Sequence, residues 1–331
     1  MTPGERFVYA QIDPFDVKSQ GAKIPDSSVM PSIAVTTNET YSFSLTTAGN
    51  QKATAFLPNF TSGIVTATEG LGGWTFPAAF SGTNLAKRAD FVAGYETFRP
   101  VGHGIRLSCP LAPTSATGFV HIAIAVETFD NETTWPYVAS LTNISSYPFY
   151  KRVTLASLTQ TPLTIANKFV DETAFRYTSA ASSAVGNAGN MEFQLPLSWG
   201  AILIAIEGTP AGSVLSAELV LHVEALPKSS GLMTGSPAAP SDQSILNVAS
   251  HISANLEPTH TEDSQSSYFR SAANIASQGL STFAEGATPI ARNVVYNMGQ
   301  AAASYAAAYG AGAMGRRGIM GVNTPRLGLT R

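Results

Sequence analysis

The sequence predicts an all-β fold, an antiparallel β-sandwich, followed by a helical C-terminal segment. Apolar and polar residues alternate over much of the stretch from Tyr41 to Glu224, short turn clusters separate the alternating rows, and the period becomes helical after residue 263. With 331 residues, the chain has room for a sandwich of about 200 residues with arms at its ends.

The first row sets Tyr41, Phe43 and Leu45 against Ser42, Ser44 and Thr46. Val101, His103, Ile105, Leu107 and Cys109 form a second, and Val120, Ile122, Ile124 and Val126 a third. In the last, Leu215, Ala217, Leu219, Leu221 and Val223 face one way, and Ser216, Glu218, Val220, His222 and Glu224 the other. Each row supplies one core face. The turn clusters at 47–50, 70–73, 110–115, 186–190 and 208–212 are too short for crossover helices, which makes the strands antiparallel. One helix is expected at 84–95, capped by Asn84, with Leu85, Ala89, Val92 and Ala93 on one face.

Residues 228–243 are rich in Ser, Gly, Pro and Ala and read as a linker. The expected organisation is an N-terminal arm (1–32), a sandwich (33–227), a linker (228–262) and a helical, Arg-bearing arm (263–331). Asp263 or Ser264 caps a helix to about residue 284, where Gly286 stops it. Thr288 and Pro289 then open a second helix, with Ile290, Val294, Met298, Ala302, Tyr305 and Tyr309 on one face and Gly310 and Gly312 at its end.

Charged residues make up 12% of the chain and hydrophobic ones 44%, so much of the surface is small and polar or is covered by other subunits. The single Cys109 excludes an internal disulfide and a Cys-based metal site, and its strand phase makes it a buried thiol. The first twelve residues lack the pattern of a secretory signal, and no apolar run reaches the ~18 residues of a membrane span. The net charge of −3 is unevenly spread: residues 264–331 hold six arginines and one acid, a net of +5, which leaves −8 for residues 1–263. That end suits an anionic partner.

Motifs for catalysis are missing. There is no G-x-S-x-G elbow, P-loop or dinucleotide fingerprint, and His103, His121, His222, His251 and His260 lack zinc spacing. Glu207, Glu218 and Glu224 lie in or beside the last strands on what reads as their outward phase, as surface acids do. A non-enzyme is therefore expected.

The stretch FRPVGHGIRLSCPLAPTSATGFVHIAIA (98–125) resembles the paired strands of single jelly-roll coat proteins from noda-like and tombus-like RNA viruses and related small circular DNA viruses, with Phe98, Arg99, Gly104, Ile105, Arg106 and Gly118 in the matching places. Three further segments agree in order: 11–32 with its Asp-Pro-Phe and Ile-Pro-Asp, 150–177, and 198–227 with its Glu-x-Leu-Pro exit. The resemblance covers residues 7–227 and implies an eight-stranded jelly roll whose copies close into an icosahedral shell, T=3 among the sizes, around a viral genome. It implies a virion protein assembled in host cytoplasm or nucleus, with a host receptor that the sequence does not reveal.

Many relatives carry a strongly basic N-terminal arm, but here only Arg6, Lys18 and Lys23 precede the first strand, against Glu5, Asp13, Asp16 and Asp26. Nucleic-acid contact then falls to Arg292, Arg316, Arg317, Arg326 and Arg331, in an arm expected to face the interior; a solvated tail is the bland alternative. Such relatives also suggest membrane contact by 289–309, although that helix lacks a basic polar side. Related shells bind Ca²⁺ through acidic clusters at subunit contacts, which makes Asp130, Glu132, Asp171 and Glu172 the calcium candidates, against a reading as solvated loops. The rival function is a jelly-roll carbohydrate-binding or adhesion module.

Overall fold

Ile33–Leu45 (β1), Lys52–Phe56 (β2), Tyr95–Ser108 (β3), Phe119–Ala125 (β4), Lys151–Thr154 (β5), Leu163–Ala166 (β6), Ala201–Glu207 (β7), Gly212–Pro227 (β8) and Thr259–Thr261 (β9) are the main strands. The main helices are Pro3–Ile12 (α1), Arg88–Gly94 (α2), Gln243–Asn255 (α3), Gln265–Ser281 (α4) and Pro289–Ile319 (α5). The structure is a computed structural model that describes residues 1–77, 82–126, 137–170, 172–180, 199–229, 233–281 and 288–319.

The strands form two antiparallel sheets. The first has the order β1-β8-β3-β6-β9, with Thr178–Ser179 also paired to β3; the second runs from the short strand Ile64–Thr66 through β2, β7 and β4 to β5. Between them lies the core that the alternating rows announced: Phe43 and Leu45, Ile105 and Leu107, Val120, Ile122 and Ile124, and Leu215 through Val223 at every second residue. Cys109 is buried there as well. Val126, placed in the third row by its period, lies just past the end of β4 and is 40% exposed.

One row breaks phase. The β3–β8 register skips Val101, so that Val223 faces Pro100 while His222 faces Gly102. The bulge turns Val101 away from the inter-sheet core and into a second apolar cluster on the outer face of the first sheet.

That second cluster is the principal departure from the expected organisation. Residues 1–32, read as an arm, begin with α1, whose Thr2 and Glu5 form a capping box with Pro3 in the first turn. Phe7, Val8, Tyr9 and Ile12 of α1 are fully or almost fully buried. Residues 228–262, read as a linker, contain α3, capped by Asp242, and β9, which pairs with β6. Ile245, Val248, Ala249 and Ile252 of α3 pack with α1 and with Phe269, Ala272, Val294 and Met298 of α4 and α5. Both ends of the chain thus fold into one helical layer against the first sheet.

The remaining helices also differ in detail. Asn84 does not cap α2; its Oδ1 accepts from Ser62 N, and the helix begins at Arg88. Leu85 and Phe91 face the core, whereas Ala89 and Ala93 are exposed. α5 continues past Gly310 and Gly312 to Ile319, because a glycine lowers helix stability by about 1 kcal/mol without stopping the helix where good helix formers surround it.

The glycines of the Gly-x-Gly at 102–104 have a packing purpose. A Cβ on Gly102 would lie 2.8 Å from Ala10 Cβ, and one on Gly104 would collide with Pro14 and come within 2.7 Å of Ile165 O. Their bare backbone lets α1 and the turn after it rest directly on β3. Gly104→Val is expected to lower stability by at least ~1–3 kcal/mol through overpacking, while Gly72→Ala, whose Cβ would meet nothing within 4 Å, leaves it unchanged. Urea denaturation of the two variants measures both.

Candidate functional site: a buried ionic hub and an arginine-bearing helical face

Arg99 sits at the second position of the Phe-Arg-Pro that lies within β3, and its side chain is 2% exposed. Its Nη2 donates to Glu224 Oε2 at 2.8 Å and its Nε to the same oxygen at 3.0 Å. Nη1 and Nη2 both reach Asp26, and Nη1 also donates to Phe175 O at 3.2 Å. Tyr177 lies over the guanidinium at 4.6 Å. Glu224 accepts in turn from Ile24 N and Ser32 Oγ. Burial works against the charge on Arg99, but its hydrogen bonds to Asp26 and the charge of Glu224 outweigh it, and its pKa is raised.

The Ile-Pro-Asp, Phe-Arg and Glu-x-Leu-Pro segments therefore meet at one point. Lys23 borders it: its ammonium donates to Ser32 O, to Ser236 O and Oγ, and to Pro237 O, pinning the segment after β8 to the entry of β1. Glu224 was read as a surface acid; it is fully buried, because its outward phase faces the helical layer instead of solvent. Glu218 is exposed and approaches Arg106 at 4.0 Å. Glu207, on the other sheet, pairs with His121 and Arg152 at 2.9 and 3.0 Å. The three acids occupy three separate environments and do not pair across a cleft.

Three histidines line the first sheet. His222 donates from Nε2 to Pro14 O and accepts at Nδ1 from Thr36 Oγ1. His260 approaches Asp13 at 3.4 Å and stacks on Tyr268. Burial pushes the Asp13 carboxyl up, but His260 and the Phe15 N–H overcome that and hold it below its usual range. His103 accepts from Asn167 Nδ2 at Nδ1, and its Nε2 is buried without a hydrogen-bond partner. Burial, assisted by His222, pushes His103 down to about 3, and burial alone pushes Lys168 down to about 7.

The expected nucleic-acid residues are scattered relative to this hub. Arg292 is exposed on the first turn of α5 and Arg270 on α4; neither has an ion pair among the described residues. Arg316 and Arg317 lie in the last turn of α5, and Arg326 and Arg331 fall outside the described residues. Of the calcium candidates, Asp130, Glu132 and Asp171 fall outside the described residues and Glu172 opens the 3-10 turn Glu172–Phe175. Among the described residues no group of three or more His, Cys, Asp or Glu could hold a metal ion.

Two stability tests follow from the hub and the histidines. Glu224→Gln removes one charge from a buried pair and is expected to cost roughly 3–5 kcal/mol, and adding Arg99→Met should restore part of it. Urea denaturation of both variants gives the coupling. For His103, the unfolded chain binds a proton near pH 6.5 and the folded chain only near pH 3, so its contribution is complete above pH 6.5 and is lost as pH falls, by at most about 1.4 kcal/mol per pH unit. His103→Gln should therefore flatten the decline of stability between those limits; an unchanged slope would mean that the folded protein protonates His103 freely.

No family model matches the chain, and no curated protein is similar to it in sequence. Its fold has clear counterparts among solved structures. The protein of infectious bursal disease virus, Gt strain, superposes with a TM-score of 0.54 at 12% identity, covering 80% of this chain and 99% of the other. T=1 particles derived from infectious bursal virus give 0.52 at 11% identity over 83% of this chain and 95% of theirs. The T13 particle of the same virus gives 0.51 at 10% identity over 91% and 99%. At such identities the likeness is one of fold alone.

Proposed function

We propose that this chain is a viral coat protein whose copies close into an icosahedral shell around a genome, built on an eight-stranded jelly roll. The strand order carries the reading: β1-β8-β3-β6 in one sheet and β2-β7-β4-β5 in the other is the interleaving that a jelly roll requires. The likeness to the T=1 and T13 particles supports the same conclusion. Its work is mechanical, enclosing and presenting, with no catalytic step; its place is the virion, after assembly in host cytoplasm or nucleus.

The helical layer faces the interior in this proposal. The chain's positive charge is concentrated in residues 264–331, and a genome is the largest anion a shell encloses. Arg292 and the arginines at 316, 317, 326 and 331 contact its phosphates, while mobile counter-ions neutralise what +5 per chain does not. Membrane contact by 289–309 is less favoured: Val294, Met298 and Ala302 are buried in the helical layer, and no helix of the described residues is long and apolar enough to cross a membrane. The helix would have to leave the layer to reach a lipid surface.

Electron microscopy of the purified full chain, with absorbance at 260 and 280 nm on the same sample, tests the proposal. Closed uniform particles are expected, and deletion of 315–331 is expected to reduce their nucleic-acid content. A chain that stays monomeric across salt and pH would favour the carbohydrate-binding alternative.

A further inference from the structure

The long edge strand β1 is protected at one end and bare at the other. Near its C-terminal end a bulge separates Phe43 from Ser44, and Lys52 Nζ donates to Ser44 O at 2.7 Å, two devices that discourage pairing with another strand. In the middle, Glu39 accepts from Ala86 N. From Ile33 to Asn38 neither device is present: every ladder partner is on β8, and the backbone has no other hydrogen-bonded neighbour among the described residues. Residues 27–38 contain no charged side chain at all.

Two exposed apolar residues lead into this bare edge. Val29 is 86% exposed and Met30 48%, and they lie four and three residues before Ile33, where the bare stretch begins. Single exposed apolar residues need no explanation, but two that lead into an uncharged, unpaired strand edge mark a contact surface.

We propose that residues 33–38 of β1 pair antiparallel with the same residues of a second copy across a two-fold axis, continuing the first sheet from one subunit into the next. An uncharged strand edge is self-complementary under a two-fold operation, since each N–H meets a carbonyl of its twin. Centring the pair near Val35 and Thr36 keeps the two Glu39 carboxylates apart, whereas centring it on the middle of β1 would set them face to face. The paired stretch spans about 20 Å, and Val29 and Met30 extend the contact at its margins. The inference rests on the shell reading for its supply of copies.

Hydrogen exchange on assembled particles and on dissociated subunits of the full chain is the test. Exchange at 33–38 should slow about tenfold or more on assembly. Asn38→Lys, at an exposed position on the bare stretch, should lower the yield of particles, and Ser44→Lys on the protected stretch should not. Particles whose exchange at 33–38 is the same as in free subunits would overturn the pairing and leave the shell reading intact. Protection already present in the free subunit and lost on deleting 320–331 would overturn it too, by assigning the edge to the chain's own tail. If no particles form, the shell reading fails, and sedimentation decides the pairing: a dimer that Asn38→Lys dissociates supports it, and a monomer refutes it.

Discussion

A guanidinium held out of water with its two carboxylates is the constraint on which the architecture depends. Arg99 draws together the entry to β1, the middle of the first sheet and the exit from β8, three places far apart in sequence. Such a cluster gains little net stability over a well-packed apolar one, but it tolerates few alternatives, since any misregister leaves a buried charge without its partner. The bulge at Val101 lies two residues from it and sets which residues of β3 serve each core. Register, bulge and helical docking are thus mutually conditional.

The composition follows from the layering. The outer face of the second sheet is built from small residues, Ala53, Ala55, Ala123, Ala125, Ala201 and Ala205, against which Trp74, Phe76, Tyr137 and Ile144 pack. Part of the outer face of the first sheet is covered by the helices. With much of both outer faces covered in this way, a chain that is 44% hydrophobic hides much of its apolar surface within itself, while Thr40, Ser42, Ser44 and Glu218 keep one side of the first sheet's outer face open.

The rows were legible because period two survives wherever one face is large and the other small or polar, as in Ile122-Ala123-Ile124-Ala125. The helical layer was less legible, although its signals were present. Thr2-Pro3-Gly4-Glu5 is a capping box, and Asp242 precedes Ile245, Val248, Ala249 and Ile252 at helical spacing. A Pro- and Ser-rich approach masks the second, and the shortness of the first, ten residues before Asp13 and Pro14, masks its apolar period. The hub could be seen only as three motifs; nothing in a single sequence says that Asp26, Arg99 and Glu224 touch. Period alone also placed Glu224 in water, because alternation reports which face a residue shares and not what covers that face.

The placement of α1 has a consequence for how the protein is made. The helix at the start of the chain rests on α3, α4 and α5, with Tyr268 bonded to Ile12 O and Ile245 against Gly4. During translation the sandwich strands are complete well before those partners leave the ribosome, so Phe7, Val8 and Ile12 wait without most of their cover until the last third of the chain arrives. Closure of the helical layer therefore waits on residues 243–302: a product that stops before them leaves Phe7, Val8 and Ile12 exposed to chaperones and proteases.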